Sequence, residues 1–137
     1  ADAVDVVGLV SQNPFNQISG ARFTVREELA FGLENRSVPR EDMLERVAAV
    51  AETLRLTPLL DRSPYALSGG QMQLVAIASM VVMAPPVLVM DEPTSQLDPA
   101  GTRMVYDVLG ALSAAGTTIV IGEHKTELLH EHCDQVA

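Results

Sequence analysis

The run Val87-Leu88-Val89-Met90-Asp91-Glu92 constrains the fold of this chain most. Four apolar residues in a row end in two carboxylates. A strand with one face in water alternates apolar and polar side chains. A run without that alternation is buried on both faces, which points to a parallel sheet covered by helices. Thr117-Thr118-Ile119-Val120-Ile121 repeats the pattern and is expected to be another buried strand. Val4 to Val10 reads as a third, β-branched and ended by Ser11-Gln12-Asn13-Pro14.

Helical patterns fill the remainder. Thr24 to Leu33 has Thr24 as a candidate N-cap, with Glu27 three residues on to complete a capping box. Pro39 to Leu56 starts with Pro at the first turn and Glu41 and Asp42 near the N-terminus. It carries Met43, Val47, Val50 and Leu54 on one stripe. Ser68 to Met83 is so apolar that burial on most faces is expected, and Pro85-Pro86 stops it. Pro99 to Ala114 is closed by Gly116, and Lys125 to His132 forms a last helix. Apolar strands alternating with helices predict an α/β fold with a parallel sheet. The helical block interrupts that alternation. The expected division is therefore 1–13 as a core strand and loop, 14–84 as an inserted helical subdomain, and 85–137 as α/β core.

The chain has 137 residues, enough for one hydrophobic core. No apolar run approaches the roughly 18 residues of a membrane span. Ala1-Asp2-Ala3-Val4-Asp5 lacks the basic n-region of a signal peptide. It also lacks an initiator Met and enters a strand almost at once, so the chain is expected to be cut from something longer. One Cys excludes an internal disulfide framework and fits a reducing compartment. The net charge of −9 is uneven: residues 14–70 carry eight acids and seven arginines, and the rest carry ten acids and two bases. No Lys or Arg lies between Arg62 and Arg103. A nucleic-acid-binding surface would show a basic stripe, and none is evident.

Leu67-Ser68-Gly69-Gly70-Gln71 reads as a Gly-rich turn opening a helix. Glycines let backbone approach an anion, and a helix start offers free N–H groups to phosphate oxygens. Asp91 and Glu92 stand at the C-terminal end of a buried strand, where open α/β sheets place their sites. A hard cation such as Mg²⁺ takes carboxylate oxygens and keeps several waters. His124 follows a buried strand by two residues, and a neutral imidazole there can hydrogen-bond a phosphate. His130, His132 and Cys133 do not make a metal site, because positions i and i+2 on a helix face apart. No G-x-x-x-x-G-K-S/T phosphate loop occurs in the chain.

In this order, the two stretches resemble the signature motif and Walker B segment of ABC-type ATPases, members of the P-loop NTPase class. Asp91 to Pro99 resembles the run from Walker B to the D-loop, which makes Asp98 the D-loop acid at a dimer interface. Val7 to Pro14 resembles the Q-loop, and Glu123-His124 the switch histidine. Met72-Gln73-Leu74 stands where the family usually has Lys or Arg, Gln and Arg, and the loss of charge at Met72 and Leu74 leaves the helix neutral. Val7 to Gln17, Thr24 to Asn35, Pro93 to Pro99 and Gly122 to His124 look most like the energy-coupling-factor ATPases of vitamin and transition-metal importers.

The resemblance implies ATP and Mg²⁺ as cofactors. It implies that Asp91 holds Mg²⁺ through water, that Glu92 positions or deprotonates the attacking water, and that His124 senses the γ-phosphate. Gln12 would contact Mg²⁺ and that water. Ser68, Gly69, Gly70 and Gln71 would bind the γ-phosphate of ATP held by a second ATPase subunit, identical or different. A transmembrane subunit would dock near Gln12 and the 24–35 helix, on the cytoplasmic face of the membrane, with no nucleic acid involved. Without a Walker A loop, the chain alone is expected to hydrolyse no ATP. Two other readings share these motifs: a soluble ABC ATPase acting on DNA or ribosomes, and a non-catalytic interaction fragment. The lack of a basic surface and the Phe31 to Asn35 stretch argue for the importer.

Overall fold

The computed structural model describes residues 7–11, 13, 18–20, 23–124, 127, 133 and 134. Its elements run β1 (Val7–Val10), α1 (Val25–Asn35), α2 (Arg40–Thr53), α3 (Gly69–Val81), β2 (Val87–Asp91), α4 (Pro99–Ala114) and β3 (Thr118–Gly122). Short 3₁₀ turns at Thr57–Leu59 and Pro64–Ala66 lead from α2 to α3. The strands form one parallel sheet in the order β1-β2-β3. Val10 pairs with Met90, Met90 with Ile121, and Asp91 with Gly122. All three strands therefore leave the sheet at one edge, and the two carboxylates of the sequence motif stand on it.

One face of the sheet is packed. Val10, Leu88 and Met90 are buried in the same core as Val75, Ile77 and Ala78 of α3, with Ile119 and Ile121 half-buried beside them. The other face carries Val7, Leu9 and Val120, which are 43%, 57% and 52% exposed. This corrects the expectation that Thr117 to Ile121 is buried. Among the described residues β3 is an edge strand, and the described helices cover a single face. The unbroken apolar pattern of β2 is thus suited to a second cover that the described residues do not supply.

The helices form where the sequence places them, with local differences. Thr24 caps α1 by accepting the Glu27 N–H at 3.2 Å. The reciprocal half of the expected capping box is replaced, because the Glu27 carboxylate accepts the Thr24 hydroxyl instead, at 3.1 Å. Pro39 sits at the N-cap of α2 rather than in its first turn, and the helix ends at Thr53, not Leu56. Leu54 and Leu56 are nonetheless fully buried beyond it. Val25, Leu29 and Leu33 of α1 and Val47 and Ala51 of α2 join α3 in one core. Glu28 is buried on α1 but satisfied, since it accepts the backbone N–H and, at 2.8 Å, the hydroxyl of Ser19. The expected helix from Lys125 to His132 lies outside the described residues apart from Glu127.

Two glycines near the end of α4 are held differently, and they give a test of opposite sign. Gly116 has φ +108°, and a Cβ there would touch nothing within 4 Å. Gly110 lies inside α4 and is equally open. Gly116→Ala is expected to destabilise by about 1 kcal/mol through backbone strain alone. Gly110→Ala should stabilise by about 0.5–1 kcal/mol through helix propensity. Equilibrium denaturation midpoints check both signs.

Candidate active site

The site is built from the C-terminal edge of the sheet and the start of α3. Asp91 ends β2, exposed, on the open face of the sheet beside Gly122. Glu92 follows with φ +46°, a left-handed conformation that costs a residue with a Cβ about 1–3 kcal/mol. Hydrogen bonds fix both sides of this residue. Its N–H donates to the Gly122 carbonyl at 2.7 Å, and its carbonyl accepts the Gln73 side-chain amide at 3.3 Å. The Glu92 side chain is nearly buried and its Oε1 meets Nε2 of His124, whose own side chain is 91% exposed.

The loop after β2 is anchored with equal care. Thr94 is fully buried and donates its hydroxyl to Glu123 at 2.9 Å. Glu123 also accepts the His124 N–H at 3.1 Å. Tyr106 of α4 reaches the same carboxylate. Burial first, then the Glu123 charge, Cys133 and the hydrogen bond to Glu123, push its phenol well above the usual tyrosine range. Asp98 closes the loop as N-cap of α4, accepting the Gly101 N–H at 2.7 Å, with Pro99 in the first turn.

Ser68 starts α3 with a full capping box. Its hydroxyl accepts the Gln71 N–H at 3.1 Å, and Gln71 Oε1 accepts the Ser68 N–H at 3.0 Å. Gln71 is thus occupied in part by the helix start itself. Gly69 and Gly70 allow the β2–α4 loop to lie against this turn. A Cβ on Gly69 would come within 2.5 Å of Gln96 Oε1, and one on Gly70 within 3.0 Å of the Gln96 carbonyl oxygen. The Gln71 N–H is taken by the Ser68 hydroxyl, whereas the N–H groups of Gly69 and Gly70 have no acceptor inside the helix and can meet an anion.

The structure thus brings Asp91, Glu92 and His124 together on one edge, and sets Ser68 to Gln71 against the Gln96–Leu97 backbone. Gln12 lies outside the described residues, although β1, which precedes it, ends beside Met90. His130 and His132 also lie outside them. Sequence reasoning missed the work done by Gln73, which is 1% exposed within an otherwise apolar helix face. The signal was available, since a lone amide among buried alanines and valines must find partners. It finds the Glu92 carbonyl, the Ser95 hydroxyl at 3.4 Å and the Gln96 N–H at 2.8 Å. The helix therefore keeps polar contacts despite lacking charge at Met72 and Leu74.

The donor chemistry suits a hard cation held jointly with a ligand. Among the described residues no group of three or more His, Cys, Asp or Glu could hold a metal ion. The exposed Asp91 carboxylate matches Mg²⁺, which binds through one or two carboxylates together with phosphates and water.

Comparison with known proteins places this geometry. The model of the ABC transporter family matches residues 3–95. The energy-coupling factor transporter ATP-binding protein EcfA1 of Bacillus licheniformis is 48% identical over 115 residues, covering 84% of this chain and 40% of that protein. EcfA2 of Symbiobacterium thermophilum is 40% identical over 131 residues, covering 95% and 45%. Among solved structures, cbiO1 of Clostridium perfringens, described as part of the ABC transporter complex cbiONQ, superposes with a TM-score of 0.81. It is 33% identical and is matched over 96% of this chain and 52% of its own. Dimeric MJ0796 with ADP and Pi gives a TM-score of 0.77 at 28% identity, with coverage of 90% and 54%. The chain spans about half the length of the relatives it matches.

The glycine contacts make a graded prediction. Gly69→Ala meets only the movable end of Gln96 and should be close to neutral in stability. Gly70→Ala meets backbone and should cost about 1–2 kcal/mol by overpacking. Denaturation midpoints that rank the two in the reverse order would contradict the packing described.

Proposed function

This chain belongs to the ABC transporter family, and from that membership we propose that it is the signature and Walker B portion of an ATPase subunit powering a membrane importer. The importer reading is of the energy-coupling-factor type, for vitamins or transition metals. The names of the relatives and the Thr24 to Asn35 stretch support that type. The observation that carries the ATPase reading is Glu92, strained, nearly buried and held against His124 at the end of β2.

Each residue then has a role. Asp91 and, by resemblance, Gln12 would hold Mg²⁺ through water; bound there, the ion neutralises charge on the phosphates. Glu92 accepts a proton from the attacking water as its oxygen bonds to the γ-phosphorus and the bond to the β-phosphate oxygen breaks. His124 steadies Glu92 through Nε2 and would sense the γ-phosphate when ATP is bound. Ser68, Gly69, Gly70 and Gln71 present a hydroxyl, N–H groups and an amide to ATP held by a second ATPase subunit. Asp98 stands at that interface. The dimeric state of MJ0796 supports a paired arrangement, homo- or heterodimeric.

The division into 1–13, 14–84 and 85–137 belongs to this reading. The helical part would meet a transmembrane subunit near Gln12 and α1, at the cytoplasmic membrane face. No described helix is long and apolar enough to cross a membrane, which fits a peripheral subunit.

The test is ATP hydrolysis by the native polypeptide that carries this chain, purified with its membrane partners. Glu92→Gln is expected to lower turnover by roughly 10²–10⁴-fold while ATP still binds. Turnover at the level of the parent would contradict the assignment.

A further inference from the structure

We propose that Gln73 is a positioning residue for the hydrolytic step, holding Glu92 in its left-handed conformation from the body of α3. The inference rests on the reading of Glu92 as the carboxylate that takes a proton from water. Gln73 is 1% exposed, and its side chain is fully engaged on the β2–α4 loop. Nε2 donates to the Glu92 carbonyl at 3.3 Å and to Ser95 Oγ at 3.4 Å. Oε1 accepts the Gln96 N–H at 2.8 Å. One amide therefore holds three successive points of the loop that begins at Glu92.

The geometry shows why such a hold is needed. Glu92 has φ +46°, which a side chain with a Cβ leaves readily unless its surroundings oppose it. The sheet fixes the N–H side of the residue through Gly122 at 2.7 Å. On the carbonyl side, where β2 has ended, the sheet has no such hold. There the Glu92 carbonyl accepts the Ser95 N–H at 3.3 Å within the loop itself, and Gln73 is the group that ties it to the body of α3. Relaxation of the Glu92 backbone would swing the carboxylate away from His124. The amide also joins the same helix whose Gly69 and Gly70 lie against Gln96. Movement at the phosphate-facing start of α3 would thus reach Glu92 through side-chain contacts alone.

Gln73→Met keeps the length and burial of the side chain and removes its hydrogen bonds. In the native polypeptide with its membrane partners, kcat for ATP is expected to fall roughly 10–100-fold, the scale of a small misplacement of a catalytic group, with KM for ATP unchanged. Gln73→Asn keeps the amide but shortens its reach, and gives the same reading should the apolar variant not fold. A purely structural amide would lower stability yet leave kcat of the folded protein intact; that outcome, or a loss confined to KM, overturns the proposal. Glu92→Gln assayed in parallel separates the two levels. A dead Glu92→Gln with full kcat in both Gln73 variants sinks this inference alone. Full turnover in Glu92→Gln sinks the assignment beneath it.

Discussion

The buried amide of Gln73 is the contact on which the local architecture turns. It joins the helix that starts with Ser68 to the loop that starts with Glu92, beside the close approach of Gly69 and Gly70 to Gln96. A polar side chain at this depth is tolerated because both its N–H donors and its oxygen are bonded to backbone or hydroxyl groups nearby. Removing one partner would leave buried groups unmatched, at about 1–3 kcal/mol each. The loop is thereby part of the core rather than a connection across its surface.

A second hub works from the opposite side. Glu123 gathers the Thr94 hydroxyl, the Tyr106 phenol and the His124 N–H. It ties β3, the β2–α4 loop and α4 into one unit, and so sets where the His124 backbone begins. Gln73 and Glu123 bracket the five-residue stretch Glu92 to Gln96 from α3 and β3. Parallel pairing of β2 with β3 supplies the frame, because it places Asp91 level with Gly122 and Glu92 one step beyond. Between them these contacts account for why an exposed imidazole and a nearly buried carboxylate stay together.

Much of this was legible in the sequence. The parallel sheet followed from Val87 to Met90, where period-2 patterning is absent. The limits of α4 followed from Pro99 at its start and Gly116 past its end, and the start of α3 from the turn Ser68 to Gln71. What was not legible depended on long-range geometry. Nothing in Thr117 to Ile121 reveals that, among the described residues, β3 is an edge strand with Val120 exposed, because pattern reports what a strand is suited to meet and not what meets it. The left-handed backbone of Glu92 carries no signal, since no glycine marks it. Gln73 and Glu123 look like ordinary polar residues until the fold places a carbonyl or a hydroxyl within their reach. The Glu27 half of the capping box failed for a related reason: the carboxylate found the Thr24 hydroxyl first.

Backbone hydrogen exchange at Glu92 and Gln96 tests the central claim most directly, that this loop is built into the core. Both N–H groups are bonded, one to the Gly122 carbonyl and one to Gln73 Oε1. Their exchange should be as slow as that of buried α3 amides, opening only with the fold as a whole. Exchange at the rate of an exposed loop, while α3 stays protected, would contradict the account.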